Sequence, residues 1–148
     1  MGYVLDASVA AKWVLPSKTE PLAAESLRLL NSYAAGEINL SVPDLFWPEI
    51  GNVLWKSVRL GRISDRSAYE AIDWFAELAI PTSSSSPLLN DAMKIAISFE
   101  RSVYDSLYLA LAVASGRPLV TADERLANAV STHLPVRWLG SAALCNPL

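Results

Sequence analysis

Short apolar runs alternate with amphipathic segments along the whole chain. Apolar runs rich in β-branched residues and ended by turn formers predict strands at residues 2–6, 38–43, 117–123 and 135–139. Between them, helical periodicity predicts helices at residues 8–15, 20–37, 45–61, 66–79, 88–99, 103–116 and 124–130. Strands separated by helices indicate an α/β fold, here an α/β/α sandwich with a mostly parallel central sheet.

Capping residues predict where several helices begin. Asp44 is a plausible N-cap for the helix at 45–61, in which Pro48 is tolerated because it lies in the first turn. Ser86 followed by Pro87 is the pattern of an N-cap with proline at the first helical position. The serine-rich stretch TSSSS at 82–86 is predicted to be a loop.

Length and charge narrow the classes of function. At 148 residues the chain has the length of one domain, and its formal net charge of −3 argues against nucleic acid held by a large basic surface. A nuclease stays compatible with that charge, because a metal bound to carboxylates brings positive charge to the phosphate. Cys145 is the single cysteine, which excludes a disulfide within the chain. The start lacks a signal peptide and no charge-free stretch is long enough to span a bilayer, so we expect a cytoplasmic protein without membrane attachment.

Four acidic residues lie within apolar sequence. Asp6 ends the first strand, Glu49 lies early in the helix at 45–61, Asp105 begins the most apolar helix, and Asp123 follows the strand at 117–123. In an open parallel sheet, the carboxyl ends of strands and the amino ends of helices share one edge, where such folds bind ligands. We therefore predict that the four carboxylates meet there.

Four carboxylates at one edge would repel each other and be driven to take up protons unless a cation compensated them. Mg²⁺ or Mn²⁺ prefers carboxylate and water oxygens, and either ion can activate water and stabilise charge on a phosphodiester. Each acid also has an ordinary structural explanation: Asp105 as a helix cap, Asp123 as a first-turn acid, Glu49 as a solvated edge residue, and Asp6 as a local acceptor of backbone amides. The combination favours a metal site.

Three polar residues accompany the acids along the chain. Ser8 lies two residues after Asp6, Asn52 lies one helical turn after Glu49, and Thr121 lies two residues before Asp123. Each is predicted to orient a ligand carboxylate or hold a metal-bound water, with a local turn or cap as the alternative.

Four motifs resemble those of the PIN-domain ribonucleases, in order and in spacing. They are VLDASV, PEIGNVL, YDSLYLALA and LVTADERL, and the similarity is to the VapC-type toxins of bacterial toxin–antitoxin pairs. The resemblance covers essentially the whole chain, which implies a single PIN-like domain over residues 1–148. It assigns the catalytic and metal-binding acids to Asp6, Glu49, Asp105 and Asp123, with Ser8 and Thr121 at hydroxyl positions often seen beside them.

The family also implies an activity and partners. It implies a Mg²⁺- or Mn²⁺-dependent endoribonuclease, a cognate antitoxin that covers or disrupts the site, and a homodimer. We expect RNA hydrolysis in which water attacks phosphorus and the 3′-oxygen leaves. Lys12, Arg101 and Arg125 are candidates to hold the RNA backbone, with an ordinary surface charge as the alternative for each.

Three other kinds of protein are considered at this point. A phosphatase-like hydrolase also begins with a strand-end aspartate, but it uses a second acid two residues later, where this chain has Ser8. A receiver domain needs paired acids after the first strand, which LDASV lacks. A non-catalytic metal-binding interaction module is the third possibility, with Trp47, Trp55 and Trp74 as a partner surface.

Overall fold

A computed structural model describes residues 1–141 of the chain. Within them, five parallel strands form one sheet in the order β3-β2-β1-β4-β5. The strands are Gly2–Leu5 (β1), Asn39–Pro43 (β2), Thr82–Ser83 (β3), Leu119–Thr121 (β4) and Val136–Trp138 (β5). The predicted parallel α/β sheet is confirmed. Cys145, for which the sequence excludes an internal disulfide, lies outside the described residues.

Helices connect the strands. Their bounds are Ala7–Ala10 (α1), Ala23–Ala34 (α2), Phe46–Arg59 (α3), Asp65–Glu77 (α4), Leu89–Phe99 (α5), Val103–Ser115 (α6) and Glu124–Val130 (α7). Parallel strands are almost always joined by right-handed crossovers, so from the strand order we infer that α2, α3 and α4 lie on one face of the sheet and α5, α6 and α7 on the other. No helix in residues 1–141 has the length and apolar character needed to cross a membrane.

The strand order reverses at β1, and this determines where a ligand can bind. The chain runs outward from β1 through β2 to β3, then crosses to β4 on the other side of β1. The register pairs Leu5 with Val120, so the residues that follow β1 and β4 emerge side by side. Open α/β sheets bind ligands at such a reversal, outside the carboxyl ends of the strands.

Helix α6 is the buried element that its apolar sequence predicts. All residues from Ser106 to Ala112 are buried, and the helix packs against β1, β2 and β4. Ser102 caps its first turn by accepting a hydrogen bond from the Asp105 backbone N–H, and Gly116 ends it in the left-handed conformation at φ +65°. Helix α6 therefore presents its amino end, with Asp105, at the carboxyl edge of the sheet.

Several predicted boundaries are wrong. The helix expected at 8–15 is α1 followed by a 3-10 turn at Ala11–Trp13, and the helix expected at 20–37 begins only at Ala23. The stretch at 82–86 was predicted to be a loop, but its first two residues form β3, paired with β2. A two-residue strand is too short for a hydrophobic pattern to reveal, and the partner strand supplies its backbone hydrogen bonds.

Two predicted caps are also wrong. The Asp44 carboxylate does not cap α3; it accepts hydrogen bonds from the Ser85 backbone N–H and hydroxyl. Ser86 begins a 3-10 turn, Ser86–Leu88, and does not cap α5. Asp44 thus joins the segment after β2 to the segment after β3. No local sequence motif predicts this tertiary contact.

Candidate active site

Asp6 directly follows β1 and is held from two directions. Its Oδ1 accepts a hydrogen bond of 3.3 Å from the Ser8 backbone N–H, which makes Asp6 the N-cap of α1. Its Oδ2 accepts a hydrogen bond of 2.7 Å from the Thr121 hydroxyl at the end of β4. The carboxylate is half-buried at the point where the strand order reverses.

Hydroxyl groups join the ends of β1 and β4. The fully buried Thr121 Oγ1 also accepts a hydrogen bond of 3.0 Å from the Asp123 backbone N–H. Ser8 Oγ lies 3.5 Å from Thr121 Oγ1 and accepts a hydrogen bond of 3.1 Å from the Ala122 backbone N–H. Thr121 and Ser8 therefore position the two segments that carry Asp6 and Asp123.

Glu49 lies in the first turn of α3 and is hydrogen-bonded to α6. Its Oε1 accepts a hydrogen bond of 2.7 Å from the hydroxyl of Tyr108, a residue of α6 that is only 2% exposed. This bond joins α3 to α6, which belong to opposite layers of the sandwich. Asn52 lies one turn further along α3 and is exposed.

The other two acids lie at helix starts. Asp105 is half-buried in the first turn of α6, where Ser102 makes the cap and leaves the Asp105 carboxylate unused for capping. Asp123 is exposed and does cap α7, since its Oδ1 accepts a hydrogen bond of 3.1 Å from the Leu126 backbone N–H. Asp123 is thus the N-cap of α7 and not the first-turn acid considered from the sequence, and Asp105 does not make the cap considered for it.

One cavity of about 450 Å³ brings the predicted residues together. Its lining comprises Asp6, Ala7, Ser8, Leu45, Pro48, Glu49, Asn52, Val53, Tyr104, Asp105 and Asp123. The cavity is lined by all four predicted acids and by Ser8 and Asn52. Thr121 does not line it, but its hydroxyl donates a hydrogen bond to Asp6. The lining residues come from α1, α3, α6 and the ends of β1 and β4.

The electrostatics of the cavity disfavour ionised carboxylates. Burial raises the pKa of Asp6, Glu49 and Asp105 above the ordinary values. Mutual repulsion adds to this: Asp6 and Asp105 raise the pKa of Glu49, and Asp123 raises that of Asp105. Hydrogen bonds from Thr121 and Tyr108 act in the opposite direction. The cavity therefore holds negative charge that a cation would stabilise.

Comparison with known protein families identifies the fold. Residues 3–130 match the family described as the PIN domain. This chain belongs to the PIN-domain family. The resemblance to VapC-type members inferred from the four motifs is confirmed as well: the chain is 30% identical over 129 residues to Ribonuclease VapC3 of Pyrobaculum aerophilum, with 86% of this chain and 93% of that protein covered.

Further comparisons agree with the PIN domain. Exonuclease VapC9 of Pyrobaculum aerophilum is 33% identical over 82 residues, which cover 53% of this chain and 57% of that protein. The crystal structure of PAE2754 from the same organism superposes with a TM-score of 0.65 at 26% identity, covering 87% of this chain and 79% of that chain. The structure of VapBC2 from Rickettsia felis, at 16% identity and a TM-score of 0.63, shares the fold over 93% of this chain and 98% of that chain.

The donor chemistry of the PIN-domain cavity fits a hard divalent cation. Within residues 1–141, no three His, Cys, Asp or Glu side chains lie close enough together to form a ready-made metal site. Mg²⁺ does not need three, because it commonly keeps several waters and uses one or two carboxylates together with substrate phosphate. The oxygen-only donors and the repulsion among the acids both favour such an ion.

The three basic residues proposed to hold RNA do not line this cavity. Lys12 is buried and its Nζ lies 3.3 Å from Glu20 Oε2, so that prediction is wrong: the ammonium group forms an internal ion pair. The positive charge of Arg101 lowers the pKa of Asp105 and so acts close to the site. Arg125 is exposed on α7.

Two tyrosines of the PIN-domain site were missed by the sequence analysis. Tyr108 bonds to Glu49, and Tyr104 lines the cavity beside Asp105. A signal for Tyr108 was available, because it follows Asp105 by three residues and so shares its face of the helix. Both tyrosines belong to the motif YDSLYLALA, in which only the acid was predicted as a site residue.

The three tryptophans considered as a partner surface differ in exposure. Trp55 is 54% exposed, while Trp47 and Trp74 pack partly against the core.

Proposed function

We propose that the protein is a VapC-type nuclease, the toxin of a toxin–antitoxin pair, and that it hydrolyses internal phosphodiester bonds of RNA with Mg²⁺ or Mn²⁺. One observation carries the proposal: in a chain of the PIN-domain family, Asp6, Glu49, Asp105 and Asp123 line a single cavity at the edge of the sheet where its strand order reverses. The names of the two VapC relatives, a ribonuclease and an exonuclease, support nuclease chemistry; internal cleavage of RNA is our own assignment.

The four acids are assigned to hold the divalent cation, which when bound would activate water and stabilise the charge on the phosphodiester. In the reaction, a water oxygen bonds to phosphorus and the bond from phosphorus to the 3′-oxygen breaks. The products are a 5′-phosphate and a 3′-hydroxyl. Thr121 and the Ser8 N–H keep the two Asp6 oxygens in fixed directions, while Tyr108 keeps one oxygen of Glu49 fixed.

The partners follow from the same assignment. The structural neighbours include VapBC2 of Rickettsia felis and a toxin–antitoxin complex from Klebsiella pneumoniae, which supports a cognate antitoxin as the protein partner. We further propose that the toxin is a homodimer and acts on RNA in the cytoplasm. The acidic residues Asp6, Glu49, Asp105 and Asp123, with Ser8, Asn52 and Thr121 around them, form the proposed active site.

Cleavage of purified RNA tests this function. The protein is incubated with mixed single-stranded RNA and Mn²⁺, Mg²⁺ or EDTA, alongside Asp6→Asn and the matched control Asp91→Asn. Asp91 is an exposed first-turn acid of α5 near Lys94, outside the cavity. We expect cleavage with either metal, none with EDTA, none by Asp6→Asn, and full cleavage by Asp91→Asn.

The same assay can contradict the proposal. Full cleavage by a folded Asp6→Asn protein, or cleavage that persists in EDTA, would exclude the proposed chemistry. Absence of cleavage under every metal condition would favour a non-catalytic interaction module instead. End-labelled RNA distinguishes the mode of cleavage, since internal cuts give discrete fragments and an exonuclease gives mononucleotides.

A further inference from the structure

The cavity that holds the four acids also has an apolar side. Leu45, Pro48 and Val53 of the α3 region and Tyr104 of α6 line it together with the carboxylates. Tyr104 is 64% exposed, so it contributes little to the core, and its hydroxyl makes no hydrogen bond within residues 1–141. The exposed ring of Tyr104 is therefore open to a ligand that enters the cavity beside the acids.

The lining of this cavity offers the substrate no basic side chain within residues 1–141. Among the described residues that line it, none is lysine or arginine, and the chain as a whole has a formal net charge of −3. Nucleic-acid binding normally draws much of its free energy from phosphate contacts to such cations. Apart from the bound cation and Arg101, whose charge acts on Asp105 from outside the lining, stacking on an aromatic ring would supply affinity that does not depend on charge.

We propose that Tyr104 and the apolar wall formed by Leu45, Pro48 and Val53 are a subsite for an unpaired nucleobase next to the scissile phosphate. The inference rests on the proposed nuclease function and adds the residues that position the substrate beside the acids. Bases stack on aromatic side chains with little sequence preference, but only when their faces are not already stacked within a duplex. The cavity volume of about 450 Å³ lies in the range that accepts a small ligand.

The position of Tyr104 on the fold suits this role. It directly precedes Asp105 in the first turn of α6, a turn that Ser102 caps, so the ring and the carboxylate are carried by one rigid element. A base stacked on Tyr104 would therefore hold its own phosphate at a constant distance from the acids. Tight positioning of this kind is a principal source of enzymatic rate acceleration.

Steady-state cleavage of a short single-stranded RNA with Mn²⁺ tests the subsite. We compare the parent protein with Tyr104→Ala, Tyr104→Phe and Tyr104→Trp. Loss of one stacked base is expected to raise KM by about 5- to 100-fold in Tyr104→Ala with a smaller change in kcat. Phenylalanine and tryptophan retain a ring, so both are expected to restore KM to near the parent value.

A matched control tests whether the effect requires a tyrosine beside the acids or is produced by the loss of any exposed tyrosine. Tyr69 of α4 is 71% exposed and lines a different cavity, between α3 and α4, that contains none of the four acids. Tyr69→Ala is expected to keep the parent KM. A KM for Tyr104→Ala equal to that of the parent would overturn the proposal, as would a Tyr104→Phe protein as impaired as Tyr104→Ala, because the hydroxyl and not the ring would then be what matters.

A binding measurement keeps this test separate from the test of nuclease activity. In an Asp6→Asn background with Mn²⁺, single-stranded RNA carrying 2-aminopurine should lose fluorescence on binding because the probe stacks, and the additional Tyr104→Ala substitution should abolish the loss. Duplex RNA of the same sequence should show none. If the parent protein cleaves no RNA, this measurement still decides: quenching that depends on Tyr104 supports the nucleobase subsite, and equal signals with and without Tyr104 overturn it.

Discussion

The hydroxyl of Tyr108 lies 2.7 Å from Oε1 of Glu49, and this hydrogen bond joins helices from the two opposite layers of the sandwich. Tyr108 is buried on α6, the helix that also carries Asp105. The bond therefore sets the position of one acid relative to another, although 59 residues separate its partners along the chain. Supporting hydrogen bonds to ligand carboxylates commonly matter nearly as much as the ligands.

Replacing Tyr108 with phenylalanine should weaken metal binding. The substitution keeps the buried ring but removes the donor that lowers the pKa of Glu49, so that carboxylate loses both its orientation and part of its stabilisation as an anion. We expect Mn²⁺ affinity, measured by titration calorimetry, to fall by about 10- to 100-fold. Tyr33→Phe is the control, because it removes a 3.0 Å hydroxyl bond to the Leu78 carbonyl away from the acids. Equal Mn²⁺ affinity in Tyr108→Phe and the parent would show that the bond is only structural.

Removing the Thr121 hydroxyl should affect stability and cleavage together. Valine has a similar shape but neither donates to Asp6 nor accepts from the Asp123 N–H, so Asp6 Oδ2 and the Asp123 N–H each lose the hydrogen bond to residue 121. We expect Thr121→Val to lower the free energy of unfolding by about 1–3 kcal/mol in urea denaturation and to reduce cleavage by about 10-fold or more. Thr121→Ser retains the hydroxyl and should recover most of both. A valine variant with parent stability would refute the network described here.

Without a bound metal, the ionised carboxylates of the cavity should lower the free energy of unfolding at neutral pH. The pKa of Asp105 in the folded protein is raised above its ordinary value of 3.8, by burial first and then by Asp123. The folded state then binds the proton more tightly than the unfolded state, so stability is lost as the pH rises through the raised pKa and is regained below about 3.8. In EDTA at pH 7, Asp105→Asn should therefore raise Tm by a few degrees.

The pH dependence gives this prediction its check. The difference in Tm between Asp105→Asn and the parent should shrink as the pH falls through the raised pKa and should be lost below about 3.8, where Asp105 is protonated in both states. Asp91→Asn, which changes an exposed acid outside the cavity, should leave Tm unchanged at pH 7. A lower Tm for Asp105→Asn at pH 7, or a pH-independent difference, would contradict the electrostatic description of the cavity.

Breaking the ion pair between Lys12 and Glu20 should lower the free energy of unfolding. Glu20 Oε2 lies 3.3 Å from the buried Lys12 Nζ, and Glu20 Oε1 lies 2.8 Å from Arg62. Glu20→Gln leaves the ammonium group buried without a counter-charge, so we expect a loss of about 3 kcal/mol in the free energy of unfolding. Glu25→Gln, at the more exposed pair with Arg28, should cost less than about 0.5 kcal/mol. Equal losses from the two variants would show that Lys12 is solvated in solution.

The elements with strong local patterns were predicted well. The runs around β1, β2, β4 and β5 were identified as strands, and the helix at 103–116 was recognised as a buried central element. Elements without such patterns were not predicted. One of them is β3, which has only two residues and forms because β2 pairs with it. Asp44 was predicted to cap a helix, since the sequence does not show that Ser85 lies beside it.

By itself, the sequence determined the α/β architecture and the choice of Asp6, Glu49, Asp105 and Asp123, which do line one cavity. Local patterns suffice for this, because parallel strands bring their carboxyl ends and the following helix starts to one edge of the sheet. Only the tertiary structure decided which groups hold those acids, how Lys12 is neutralised, and that a tyrosine ring borders the site. A hydrogen bond or ion pair requires atoms within roughly 3–4 Å of each other, and across 59 or 115 residues that distance depends on how whole helices and strands pack.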